Sequence, residues 1–263
     1  MSLRPRASAL APVGARPARR SRLDAVLAAG RARWGAPTGV PYVPPPRPPL
    51  TDATIRDAVR DAVAAGGPEY AHPVYGPIAG WDVSAVTDMD SMFDGATTFN
   101  GDLSGWDVGN VTNMGGMFGD AAAFNRDLSR WNVRNVTAMD SMFEGAAAFN
   151  GDLSGWDVSK VTNMSAMFGD AAAFNRDLSR WDVGNVGTMR FMFKGASAFN
   201  GDLSRWDVRN VTRMRSMFKG AAAFNGDLSG WDVRNVTSME SMFEGAVAYR
   251  PAHALGSLGS RQP

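Results

Sequence analysis

Apolar positions in this chain recur every 25 residues. Tryptophan shows the period most plainly, at Trp81, Trp106, Trp131, Trp156, Trp181, Trp206 and Trp231. Every methionine except Met1 falls in one of two columns, one stepping from Met89 to Met239 and the other, three residues later, from Met92 to Met242. Phenylalanine fills two more, Phe93 to Phe243 and Phe99 to Phe224 with Tyr249 in the last place, and only Phe191 stands outside them. Seven units follow one another from Gly76–Asn100 to Gly226–Arg250 without insertion or deletion. A fixed period of this length marks an architecture of stacked repeats.

One unit, residues 151–175, reads GDLSGWDVSKVTNMSAMFGDAAAFN. Trp156 and Val158 have strand spacing, whereas Met164, Met167, Phe168 and Ala171 stand at i, i+3, i+4 and i+7, the spacing of a helix face. The pattern predicts a strand over 153–158, a second over 161–164, a helical turn over 165–171 and a return through the Phe–Asn–Gly–Asp corner. A single unit cannot cover both of its apolar faces, so neighbours must complete the core. The expected fold is therefore a repeat solenoid of seven coils over 76–250, each with short parallel β-strands and a short helical turn.

Proline placement agrees with these limits. Ten of the fifteen prolines lie at or before Pro49, and none lies between Ile78 and Arg250, where a missing amide would break a stacked ladder. Ahead of the coils, 51–65 reads as an amphipathic helix with Ile55, Val59, Ala62 and Val63 on one face, ended by Gly66, Gly67 and Pro68. Residues 51–75 are expected to cap the first coil. Residues 1–50 read as a basic, proline-rich leader with a stiff 44–49 linker and a short helix over 23–33. Residues 251–263 read as a disordered tail.

Composition narrows the function classes. Of 263 residues 44% are hydrophobic, the formal net charge is +1 and there is no cysteine. The charge balance excludes bulk nucleic-acid binding, and the missing cysteine excludes disulfides and thiolate sites. No stretch approaches the length of a membrane span. Residues 1–23 carry Arg4, Arg6, Arg16, Arg19, Arg20 and Arg22 without an acidic residue, the composition of a transit peptide and equally of a plain basic tail. An organelle or the cytoplasm is the expected compartment, with the cell surface as the alternative.

The segment WDVSKVTNMSAMFGDAAAFNRDLSRW, from Trp156 to Trp181, resembles the repeat of BspA-like leucine-rich-repeat surface proteins. That repeat joins a WDVSNVTNM-type core to MF-x-G-A and FN-x-DLS segments, and the likeness runs through all seven units. Residues 51–76 are similar to the leader that precedes such repeats in some algal and protist proteins. The resemblance implies a leucine-rich-repeat-like solenoid used for binding, often at a bacterial surface. The chain departs from the bacterial surface members in having neither a secretory apolar core nor a lipoprotein cysteine.

Candidate chemistry is sparse. Two aspartate columns, Asp102 to Asp227 and Asp82 to Asp232, invite comparison with calcium sites, but Asn132 stands in the second and keeps only the acceptor, which fits turns closed by side-chain oxygens. The Met-x-x-Met spacing suits a soft metal, yet both columns share the period of the Phe and Val core positions. The Trp–Asp pair does not indicate a propeller, whose blades need longer repeats. Both histidines, His72 and His253, lie outside the coils, so no Ser–His pair is at hand. Neither catalytic residues nor a cofactor or metal are expected. Sequons stand at Asn110, Asn135, Asn163, Asn210 and Asn235, and all but Asn163 follow from the repeated NVT motif.

What varies between coils says more. Three columns read Asp88, Asp90 and Asp94 in the first coil, and two of them read Asp140 and Glu144 in the third. They turn basic as Arg190 and Lys194 in the fifth and Arg213, Arg215 and Lys219 in the sixth, then return to Glu240 and Glu244. One reading is solvated charge that discourages slipped stacking; the other is a docking band for an acidic protein. The sequence thus points to a non-enzymatic protein-binding or scaffold solenoid. An adhesive surface element is the alternative, and a carbohydrate-active β-helix would need a groove that breaks the repeat.

Overall fold

A computed structural model describes residues 46–66 and 70–250. The expectations for the leader up to residue 45, the helix over 23–33, Gly67 and Pro68, and the tail from residue 251 lie outside these residues.

Helix α1 spans Asp52–Ala64. Thr51 precedes it with extended backbone, and its amide donates to the Thr54 hydroxyl at 3.0 Å. Ile55, Ala58, Val59 and Ala62 are buried along one stripe. A two-residue hairpin follows, β1 (Ala71–His72) antiparallel to β2 (Gly76–Pro77), and a 3-10 turn over Ile78–Gly80 leads into Trp81.

The repeats stack in register. Isolated parallel bridges join Asp88 to Asn113, Asn113 to Ala138, and so on at each junction up to Arg213 with Ser238. The expected strands over 153–158 and 161–164 are not formed. Only Asn163 makes a bridge, and the amides of Trp156 and Val161 instead close turns onto Leu153 and Val158. The helical turn over 165–171 is likewise absent. Amides of Met164, Ala166 and Phe168 leave the coil for the carbonyls of Thr188, Arg190 and Met192, while those of Met167, Gly169 and Ala171 close turns three residues back. A helix, whose donors all run along its own axis, cannot share its amides in this way.

Each coil is therefore a string of turns. Apolar residues stand at both ends of most of them, as in Leu153/Trp156, Val158/Val161, Met164/Met167, Phe168/Ala171 and Ala171/Phe174. A three-residue apolar step belongs to inward-facing turn ends as well as to a helix face. The turn ribbon also needs left-handed backbone at two positions per coil. Ala166 (φ 55°) and Asp170 (φ 54°) occupy them in the fourth coil, and Ser, Gly or Phe and Gly or Asp do so elsewhere. Small residues and aspartate adopt that region at least cost.

The core is built from stacked columns. Trp131 and Trp156 lie 6.4 Å apart with rings 4° from parallel, and Phe143 and Phe168 5.7 Å apart at 7°. The Met, Phe, Val and Leu columns of the inner coils are fully buried, as is Trp to within a few per cent. α1 takes the place of a preceding coil over the first one. Leu50 donates to the Asp82 carbonyl, Asp52 accepts from the Thr87 amide and hydroxyl, and Arg56 donates to the Asp90 carbonyl at 2.6 Å. Among the described residues no helix is long and apolar enough to cross a membrane.

Candidate functional site

The outer face of the turn ribbon carries the variable columns, because its inward turn ends are taken by Met and Phe. Bridge Thr188–Arg213 and the bonds from the Phe191 amide to the Arg215 carbonyl (3.0 Å) and from Gly195 to Lys219 (2.7 Å) set coils five and six side by side. Arg190, Lys194, Arg213, Arg215 and Lys219 thus stand in neighbouring columns of two adjacent coils.

Their environments differ. Lys194 pairs with Asp170 of the coil before at 2.8 Å, a hydrogen bond that is the main cause raising the ammonium above its ordinary value. Lys219 pairs with Glu244 of the coil after at 2.8 Å, and that bond chiefly lowers the carboxyl. Glu240 is lowered first by the Ser238 hydroxyl and less by Arg215. The lysines are therefore already engaged within the chain. Arg213 and Arg215 are exposed and form no salt bridge among the described residues. Arg190 lies over the ring of Phe191, 5.3 Å from its centroid.

Sequence reasoning gave Phe191 no role beyond its place outside the columns. Its column holds Ser, Gly or Ala in the other coils, and it sits at φ 60° with its side chain only half-buried. Also missed was a cleft of about 170 Å³ on the same face, lined by Asp94, Asp120, Glu144 and Asp170 around Gly116 and Gly119. Its glycines lie under side chains of the coil before. A β-carbon at Gly119 would meet Asp94 Oδ1 at 2.6 Å, and one at Gly115 would meet Asp90 Oδ1 at 2.9 Å.

The aspartate columns close turns. Oδ1 of Asp152 accepts the Ser154 amide at 2.9 Å and that of Asp157 the Ser159 amide at 3.1 Å, with Asn132 doing the same for Arg134 at 3.5 Å. The Ser154 amide and then its hydroxyl hold Asp152 below the usual carboxylate range, and the Ser159 hydroxyl and then its amide do so for Asp157. Among the described residues no group of three His, Asp or Glu could hold a metal ion. His72 lies among Tyr70, Tyr75 and Trp81, accepts from the Val74 and Tyr75 amides, and is lowered by burial. It serves the junction between α1, where Asp61 is 3.7 Å away, and the first coil.

In-register 25-residue coils behind a capping helix define a tandem-repeat protein. The family described as "Mycoplasma protein of unknown function, DUF285" matches residues 69–179 and 150–254, and the chain belongs to it. No curated protein and no solved structure matches the chain significantly.

Proposed function

We propose that this chain is a leucine-rich-repeat-like solenoid of the BspA kind, acting as a non-enzymatic protein-binding or scaffold module whose basic band docks an acidic protein. The observation that carries the reading is the unspent charge of Arg190, Arg213 and Arg215. Their two lysine neighbours are engaged by Asp170 and Glu244, whereas the three guanidiniums form no salt bridge among the described residues, Arg215 acting on Glu240 only at longer range. Arginine presents a planar fork suited to carboxylates, and a fixed repeat scaffold holds three of them without a folding cost on binding. Exposed ion pairs contribute little to stability, which leaves recognition as the role of the free ones.

The test uses a fluorescent oligo-glutamate peptide as probe. Anisotropy titration with the full chain should show binding that weakens steeply with salt. Arg190→Glu combined with Arg213→Glu and Arg215→Glu should abolish it with an unchanged melting temperature. Equal binding by the parent chain and this triple variant would refute the reading.

A further inference from the structure

The ribbon face carries both halves of an interface. Asp94, Asp120 and Glu144 cluster in coils one to three, and Arg190, Arg213 and Arg215 in coils five and six; none of the six forms a salt bridge among the described residues, although Glu144 acts on Lys194 and Arg215 on Glu240 at longer range. We infer that the acidic partner of the basic band is a second copy of this chain, docked face to face and antiparallel about a two-fold axis between the third and fourth coils. The inference rests on the basic band being a docking surface, as proposed above.

The coil order decides the register. With the axis there, coil six faces coil one of the partner, so Arg213, Arg215 and Lys219 oppose Asp88, Asp90 and Asp94, although Asp88 also meets Arg56 and Lys219 also meets Glu244 within the chain. Coil five faces coil two, so Arg190 and Lys194 oppose Asp120 at the acidic cleft. Shifting the axis onto the fourth coil would set Asp88, Asp90 and Asp94 against Glu240 and Glu244, like charge on like. A two-fold interface needs one patch that complements itself, and this register meets that need.

Shape agrees with charge. Phe191 is a bulky residue in left-handed backbone, a costly placement. It is only partly buried, with the Arg190 guanidinium over its ring. Backbone strain at a partly exposed aromatic points to a role beyond the fold. The coil set opposite it has Gly115, Gly116 and Gly119 in three ribbon columns, with the Asp90, Ser91 and Asp94 side chains of the first coil lying over them. An aromatic ring beneath an arginine meeting a carboxylate-lined cleft is the make-up of an interface hot spot. The two-fold repeats this contact twice.

Sedimentation velocity of the full chain tests the inference. We expect a concentration-dependent dimer that dissociates as salt rises. Phe191→Ser, which restores the residue usual in its column, should weaken the dimer on the order of tenfold or more without lowering the melting temperature. Arg190→Glu should weaken it similarly, and Arg190→Glu with Asp120→Arg in one chain should restore it, because each contact is then rebuilt with its signs exchanged. A chain that stays monomeric at high concentration and low salt overturns the inference, as does a dimer indifferent to Phe191→Ser and Arg190→Glu. Asp120→Arg alone separates the two ideas: it leaves the basic band whole, so it should lose the dimer while still binding oligo-glutamate. Oligo-glutamate binding by a parent chain that never dimerises would sink the dimer alone.

Discussion

The indole N–H of Trp156 donates to the carbonyl of Leu128 at 3.0 Å, reaching from the fourth coil into the third. The same bond recurs from Trp131 to Leu103 and from Trp181 to Leu153, so each tryptophan both fills its own coil and ties it to the one before. Trp156→Ala should cost about 3–5 kcal/mol, as for a large aromatic truncated in a packed core. Trp156→Phe should recover part of the packing but leave the buried carbonyl unpaired, for about 1–3 kcal/mol. Lys160, whose ammonium meets Asn135 Oδ1 on the exposed surface, should tolerate Ala within about 0.5 kcal/mol. Urea denaturation of the three variants checks the order, and a Trp156→Ala loss below about 1 kcal/mol would contradict it.

Register between coils makes the repeat removable as a whole. Without residues 151–175, the amides of Met139, Ser141, Phe143 and Gly145 would meet the carbonyls of Thr188, Arg190, Met192 and Lys194, the acceptors used today by the fourth coil. The shortened chain should fold and unfold cooperatively. Removing 151–162 instead sets polar positions against Met and Phe columns, and should abolish the cooperative melt. Equal melting behaviour of the two deletions would rule out in-register stacking as the source of stability.

The core columns were legible because identity repeats where burial repeats. Trp, Met and Phe stand in the same place seven times, and those places face inward. The local backbone was not legible. Met164, Met167, Phe168 and Ala171 have helix spacing, yet successive turns with left-handed residues at 166 and 170 turn the same side chains inward. The signal was present in the small residues and aspartates of those two columns, but no helical or extended template contains it. At the candidate site the charge band was readable column by column. The pairing of Lys194 with Asp170 was not, since Asp170 occupies a column that holds glycine in five of the coils. Phe191 was visible as the one phenylalanine out of place, and only its backbone angle and exposure give that a meaning.

Acid should destabilise the fold through the turn-closing aspartates. Asp177 is held below its ordinary value by the Ser179 hydroxyl and amide, and Asp232 is lowered to about 2, chiefly by its hydrogen bond with Arg234. A carboxylate whose folded value is depressed stabilises the fold above its unfolded value, about 3.9, and loses that contribution as pH falls through the folded one. Melting temperature should therefore decline between about pH 4 and about pH 2. Asp152→Asn with Asp177→Asn keeps the acceptors, as Asn132 does naturally, and should make the decline shallower. An unchanged slope would show that other groups control acid unfolding.

More backbone amides donate forward along the stack than back, where only pairs such as Thr237 to Thr212 and Ala248 to Ala222 run, and this asymmetry sets where the structure opens first. At each junction four of them donate to the following coil, as Met214, Ser216, Phe218 and Gly220 do to Ser238, Glu240, Met242 and Glu244. In the seventh coil the equivalent amides, those of Met239, Ser241, Phe243 and Gly245, have no such acceptor among the described residues. Side chains follow the same gradient: Val211 and Met214 are fully buried, whereas Val236, Met239 and Phe243 are only partly covered and Val247 is 79% exposed. At the other end α1 spans the first coil, so the two ends are not equivalent. Hydrogen exchange should consequently show slow amides at Met164, Ala166 and Phe168 and fast ones at Met239, Ser241 and Phe243, with protection decaying from the sixth coil to the seventh. Uniform protection across the last three coils would mean that something outside the described residues completes the final ladder.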